Sequence, residues 1–114
     1  DPPEECVFSP DSRSLAILTT GGLEIWDLEA LKVTHSFTFG EDYESHGIKW
    51  SGNGRRLFFN RGMEFHVLEI DKGVIDTVGE DFYGYIPDYE GNRLLQNDHG
   101  VFFLYDFETV RSRG

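Results

Sequence analysis

Apolar and polar positions follow the same pattern three times along the chain. The pattern occurs in FSPDSRSLAILTTGGLEIWDLEAL (8–31), WSGNGRRLFFNRGMEFHVLEIDKG (50–73) and PDYEGNRLLQNDHGVFFLYDFETV (87–110). The first two segments are offset by 42 residues and the last two by 37, and no gap is needed inside any of them. Leu15 precedes Trp26 by eleven residues, and both positions are apolar or aromatic in the other segments. This repetition predicts one structural unit built three times.

Each unit is made of short apolar or alternating runs that are separated by turn-forming residues. In the first unit the runs are CVF, SLAILTT, LEIWDLE and KVTHSF. Alternation over such short runs is typical of strands rather than helices. Pro10 and Asp11 mark the first turn, because proline presets φ and aspartate bonds its own backbone. We therefore predict four antiparallel strands per unit and no helix.

The first unit resembles a known family of repeats. FSPDSRSLA followed by GLEIWDLE is similar to the repeat of WD-repeat β-propellers, in which Trp26 and Asp27 would be the signature dipeptide. The other units carry LE and YD at that place, and no unit has the family's full set of Gly-His pair, turn aspartate and tryptophan. The resemblance covers about residues 6–113. It is stronger to propellers in general than to strict WD repeats.

The resemblance implies an all-β fold, namely a β-propeller segment of about three four-stranded antiparallel blades, the last of which lacks its final strand. The expected parts are an acidic N-terminal connector (1–5), blade one (6–39), a connector with blade two (40–78) and a connector with an incomplete blade three (79–114). Known propellers have roughly four to eight blades. We therefore expect further blades from a longer parent chain or from another chain, and we expect Trp26 to be buried between blades.

An acidic and aromatic sequence occurs twice, as GEDYES (40–45) and GEDFYG (79–84). In a propeller both would connect the last strand of one blade to the first strand of the next, so they would share one face, on which the acidic side chains of Glu5 and Asp88 are also expected. Carboxylates and aromatic rings suit Lys and Arg side chains. The predicted partner-binding residues are Glu41, Asp42, Tyr43, Glu80, Asp81 and Phe82. The alternative is that these loops are merely solvated and their rings pack inward.

Charge narrows the choice of partners. Ten basic and twenty-one acidic residues give a net charge of −11, which repels phosphate backbones and anionic lipids. We expect a protein partner with a basic surface or peptide, and neither direct nucleic-acid binding nor membrane binding. Cys6 is the only cysteine, so no internal disulfide can form, and no targeting segment is visible. These features predict an intracellular protein, either cytoplasmic or nuclear.

Candidate catalytic chemistry is weak. The four histidines have no second ligand at metal-binding spacing, and no serine lies in a G-x-S-x-G sequence. We therefore predict no catalytic residues, no metal and no cofactor, and we expect a non-enzymatic protein–protein interaction scaffold. One alternative is a propeller that gates or positions a catalytic domain within an enzyme or large multidomain protein. A purely structural element is the other.

Overall fold

The computed structural model describes residues 5–40 and 44–113, which form three antiparallel sheets and one short helix. The first sheet has the order β1 (Glu5–Phe8), β2 (Ser14–Leu18), β3 (Gly22–Asp27) and β4 (Lys32–Thr38). The second has the order β5 (Ser45–Trp50), β6 (Arg56–Arg61), β7 (Glu64–Glu69) and β8 (Val74–Glu80). The third contains β9 (Tyr85–Pro87), β10 (Arg93–Asp98) and β11 (Val101–Asp106). The predicted all-β blades of four, four and three strands are confirmed.

A side-chain cap fixes the first turn of each blade. In blade one, Asp11 Oδ1 accepts hydrogen bonds from the Ser9 hydroxyl (2.6 Å) and from the Arg13 amide (3.0 Å). The Ser9 hydrogen bond, followed by the Arg13 amide, lowers the pKa of Asp11. Asn53 Oδ1 repeats this arrangement in blade two, and Asp88 Oδ1 accepts two backbone amides in blade three. The prediction that the Asp11 side chain bonds to the nearby backbone in this turn is confirmed.

The blades stack face to face, with their first strands adjacent. β5 lies between β1 and β9, so these strands line the inner side of the stack. Strand residues alternate between faces, and β6 is buried on both of its faces. Leu57 and Phe59 pack in the core shared with blade one, whereas Phe58 packs in the core shared with blade three. Apolar burial between blades is therefore the main stabilising contribution to the stack.

Polar groups also join neighbouring blades along the inner strands. The Glu5 carboxylate accepts hydrogen bonds from the amides of Gly47 (3.2 Å) and Ile48 (3.0 Å), at an irregularity in the pairing of β5 with β6. The Tyr85 hydroxyl donates to the Gly47 carbonyl at 2.6 Å. Trp50 Nε1 donates to the Val7 carbonyl at 3.3 Å. The bonds from Glu5 and Tyr85 satisfy backbone groups of Gly47 and Ile48 that the bulged strand would otherwise leave unpaired.

The two ends of the stack present apolar faces that are not covered by the described residues. Phe102 and Leu104 of blade three are 64% and 65% exposed. Their repeat counterparts in blade two, Phe65 and Val67, are fully buried against blade three. At the other end Phe8 is 61% exposed, although its counterpart in blade two packs on blade one. The end faces thus have the pattern of blade-to-blade surfaces.

The prediction that the chain has no helix is wrong, because α1 (Phe107–Arg113) follows β11 directly. Phe107 and Val110 are one turn apart and both are buried in the core between blades two and three. Arg111 Nη2 forms an ion pair with Asp76 Oδ2 of β8 at 3.1 Å. Burial of one apolar face therefore holds a helix where the fourth strand of blade three would begin. No helix in the described part of the chain has the length and apolar character that a membrane crossing requires.

Trp26 is less buried than the sequence predicts. It lies in β3 on the face of blade one that points away from blade two, where it is half-buried. Its indole Nε1 donates to Glu24 Oε1 at 3.1 Å on the same strand. The counterpart Leu68 is fully buried because blade one covers it. No described residues cover Trp26 in this way.

Candidate protein-binding groove

The acidic pair Glu80 and Asp81 lies at the end of blade two. Glu80 is the last residue of β8 and stands opposite Glu64 of β7. Asp81 has a positive φ of 54°, and its amide donates to the Met63 carbonyl at 2.8 Å. Both acidic residues are exposed, and among the described residues neither takes part in an ion pair. Their carboxylates are therefore available to a cationic ligand.

Phe82 packs inward. Its ring is 8% exposed and lies 5.1 Å from Phe65, 5.7 Å from Tyr85 and 5.3 Å from Tyr105, measured between ring centroids. Asn60 Nδ2 donates to the Phe82 carbonyl at 3.0 Å, which fixes the backbone as well. This is the packing arrangement that the sequence left open as the alternative. The ring belongs to the core between blades two and three and cannot serve as an exposed anchor.

The other three predicted binding residues, Glu41, Asp42 and Tyr43, lie outside the described residues. The next residue, Glu44, lies beside the turn between β6 and β7. Its carbonyl accepts a hydrogen bond from the Gly62 amide in that turn at 2.8 Å. Asp81 is bonded to Met63 in the same turn. Glu44 and Asp81 therefore flank one turn, in agreement with two connectors on a common face.

A groove opens beside Glu80 and Asp81, between β8 and blade three. Its volume is about 560 Å³. Its walls come from β8, the following connector, blade three and α1, and consist of Thr77, Gly79, Glu80, Asp81, Phe82, Gln96, Tyr105 and Val110. The lining thus combines the two carboxylates and the polar side chains of Thr77 and Gln96 with aromatic surface of Tyr105. This combination suits an extended segment that carries both apolar and basic side chains.

The negative potential of this region acts on a neighbouring tyrosine. Partial burial, followed by the negative charges of Asp81 and Glu80, raises the pKa of the Tyr83 hydroxyl. The hydroxyl donates to the Gly62 carbonyl at 3.3 Å, and the ring stacks on His46 with centroids 5.6 Å apart. Tyr83 therefore ties the connector to the β6–β7 turn within the field of both carboxylates.

Two acidic residues that the sequence grouped with this surface have structural roles. Glu5 is bonded to the backbone of β5, and Asp88 caps its own turn. The sequence gives no local signal for the Glu5 contact, because its partners are 42 and 43 residues away. Of the described residues that were predicted to bind a partner, only Glu80 and Asp81 present exposed carboxylates.

A metal site requires several histidine, cysteine or carboxylate side chains close together. In residues 5–40 and 44–113, no three His, Cys, Asp or Glu side chains form a group that could hold a metal ion. His35 Nε2 lies 3.0 Å from the Ile70 carbonyl across the interface between blades one and two. His66 is buried beside Thr77 and Glu64. Both residues have hydrogen-bonding or ionic partners within the fold.

No family model matches the sequence of this chain, and no curated protein matches it. Among solved structures it is similar to Kuenenia stuttgartiensis hydrazine synthase, with 18% identity, a TM-score of 0.67, and coverage of 95% of this chain and 33% of that chain. It is also similar to the β-propeller domain of Myceliophteria thermophila Cps50 (Swd1), with 19% identity, a TM-score of 0.62, and coverage of 89% and 38%.

A third similar structure is the uncharacterized protein lmo1340 from Listeria monocytogenes EGD-e. It is 13% identical, with a TM-score of 0.72, and the match covers 91% of this chain and 36% of that chain. The chain therefore spans about a third of the length of the structures it matches. At these identities the similarity shows the fold alone: the sheets of this chain are arranged as blades of a β-propeller.

Proposed function

We propose that this chain is a non-enzymatic interaction scaffold, a portion of a β-propeller that binds a basic segment of a partner protein. The observation that carries the proposal is the groove beside β8, where the exposed carboxylates of Glu80 and Asp81, which pair with no cation among the described residues, adjoin the ring of Tyr105. Paired placement of acidic and apolar surface favours a peptide with lysine or arginine next to aliphatic residues. The net charge of −11 attracts such a partner over a longer range.

The exposed end faces support the other half of the proposal, that the chain works within a larger propeller. Phe102 and Leu104 at one end occupy repeat positions that are buried at the two internal interfaces, and Phe8 at the other end occupies the position of Trp50, which packs on blade one. Further blades, from a longer parent chain or from another chain, would bury them. An intracellular location agrees with the single cysteine, Cys6, which is exposed and free.

A basic peptide tests the proposal. The probe is the synthetic peptide KTITKTVTK, labelled with a fluorophore, whose binding is followed by fluorescence anisotropy. The double variant Glu80→Gln/Asp81→Asn should bind it roughly fivefold more weakly at low ionic strength, with the difference shrinking as salt screens the charges. Folding should be unchanged, because both residues are exposed.

The matched control is Glu29→Gln/Glu90→Gln, which removes the same number of charges from exposed turns elsewhere. This control should bind the peptide almost as well as the unmodified chain. Equal weakening by both double variants would mean that the peptide responds only to overall charge. The proposed binding site would then be wrong.

A further inference from the structure

The outer edge of β11 is open. The counterparts of β11 in blades one and two, β3 and β7, each pair with a fourth strand along their length. Within residues 5–40 and 44–113, no strand pairs with β11 on the side away from β10. The chain turns into α1 directly after Asp106 and packs against β8 instead. Alternate residues of an antiparallel strand bond to opposite neighbours, so the backbone groups of Phe102 and Leu104 are the ones that can pair with another strand at this edge.

The groove lies where a fourth strand of blade three would place a side chain. In blade two, Ile75 of β8 stands opposite Leu68 and packs into the core shared with blade one. The counterpart of Leu68 in blade three is Tyr105, which lines the groove. The repeat position of Ile75 falls at Ser112, within α1. In blade three no described strand therefore makes with Tyr105 the contact that Ile75 makes with Leu68 in blade two.

The residues along this edge define what a strand would meet. Phe103 stands two residues before Tyr105 on the same face of β11, is 43% exposed, and lies 6.4 Å from it between ring centroids. The acidic side of the groove is formed by Glu80 and Asp81. A strand paired with β11 would hence place one side chain over Tyr105 and the next on the same face opposite Phe103.

We propose that β11 and the adjoining groove accept an extended segment of another protein as an antiparallel fourth strand of blade three. That segment has an aliphatic residue over Tyr105 and a lysine or arginine two positions further on, opposite Phe103 and within reach of Glu80 and Asp81. This inference rests on the proposed function and specifies its binding mode, in which main-chain hydrogen bonds give affinity and alternate side chains give specificity.

Charge favours a basic partner over a second copy of this chain. Each copy carries a net charge of −11, so two copies repel one another. The groove adds two carboxylates that no described cation pairs with. A strand with lysine or arginine on its inner face neutralises them, whereas an acidic strand adds to the repulsion.

Backbone methylation of the probe peptide distinguishes strand addition from simple charge attraction. In a strand, the N–H groups of alternate residues point to opposite edges. Two versions of KTITKTVTK are made, one N-methylated at internal odd positions and the other at internal even positions. Strand pairing predicts that one version binds the 114-residue chain as the parent peptide does. The other should bind roughly tenfold more weakly, as expected for about two lost hydrogen bonds.

Hydrogen exchange locates the contact. Peptide binding should slow exchange of the amides of residues 101–106, with little change in β3, the corresponding strand of blade one. If both methylated versions bind alike, strand addition is wrong, although weaker binding by Glu80→Gln/Asp81→Asn would still support the proposed function. If the same amides become protected without peptide as protein concentration rises, the edge pairs with a second copy, and a partner protein as its occupant is overturned.

Discussion

His66 is buried in β7, where three kinds of contact surround its ring. Nδ1 lies 3.1 Å from the Thr77 hydroxyl, and Nε2 lies 3.3 Å from Glu64 Oε1. The ring stacks on Phe59 with centroids 5.2 Å apart. Burial lowers the pKa of His66, the charge of Glu64 opposes this effect, and the charge of Arg61 adds to it. The neutral form is therefore the one that the fold prefers.

The lowered pKa predicts how stability changes with pH. Neutral His66 contributes stability that is fully present above its ordinary pKa of 6.5 and is lost as pH falls through the folded-state value, because the unfolded chain takes up the proton first. Urea unfolding at pH about 7.5 and about 5 should show a smaller loss for His66→Gln than for the unmodified chain. The control His99→Gln changes an exposed histidine and should lose as much as the unmodified chain. An identical loss in His66→Gln would contradict this role.

At the residue scale, the sequence predicts which acidic side chains of the connectors are exposed better than it predicts which side chains they contact. The exposed carboxylates of Glu80 and Asp81 follow from their turn sequence, and the structure places them at the surface. The sequence predicts that Phe82 binds a partner and leaves inward packing as the alternative, since a ring in a connector can point either way. Glu5 was grouped with surface acids, yet it bonds to the backbone of the next blade. Contacts between residues so far apart leave no mark in local sequence.

Among the elements, corresponding turns of blades two and three differ in what surrounds their glycines. Gly54 and Gly91 occupy the same repeat position and have similar φ values of +73° and +75°. A Cβ at Gly54 would meet nothing within 4 Å. A Cβ at Gly91 would lie 3.0 Å from Arg56 Cδ and 3.1 Å from Ser51 Cβ. Arg56 cannot move freely, because it is held by the Gly91 carbonyl and packs on Phe107.

This pair separates backbone strain from crowding. Gly54→Ala should destabilise the chain by about 1 to 2 kcal/mol, the cost of a left-handed conformation for a residue with a Cβ. Gly91→Ala should cost roughly 1 to 3 kcal/mol more, because it also crowds the interface between blades two and three. Chemical denaturation of both variants measures the difference. Equal losses would mean that this turn is not packed against blade two.

Strands could be predicted at this scale because their alternation and turn residues are local. All eleven strands of the described residues overlap or directly adjoin one of the three aligned segments, and the pairing follows the expected antiparallel order. Helix α1 could not be predicted in this way. FETVRSR has only seven residues, too few to show a helical period, and its stability comes from Phe107 and Val110 packing between blades.

For the whole molecule, repetition of the sequence accounts for the stack of blades and for its open ends. The same repeat positions form both internal interfaces, so their exposure at the ends marks surfaces of the same kind. The matches cover 33% to 38% of the three solved structures, so this chain corresponds to part of each of them. The total number of blades in a ring could not be predicted, because each repeat specifies only its contacts with its neighbours.

The same repeat positions are buried between blades two and three and exposed on the outer face of blade three. Chemical denaturation of two matched double variants tests this difference directly. Phe65→Thr/Val67→Thr should destabilise the chain by at least about 3 kcal/mol, because both side chains are fully buried. Phe102→Thr/Leu104→Thr should change stability by no more than about 0.5 kcal/mol, because the same repeat positions are exposed in blade three. A loss for Phe102→Thr/Leu104→Thr as large as that for Phe65→Thr/Val67→Thr would contradict the account.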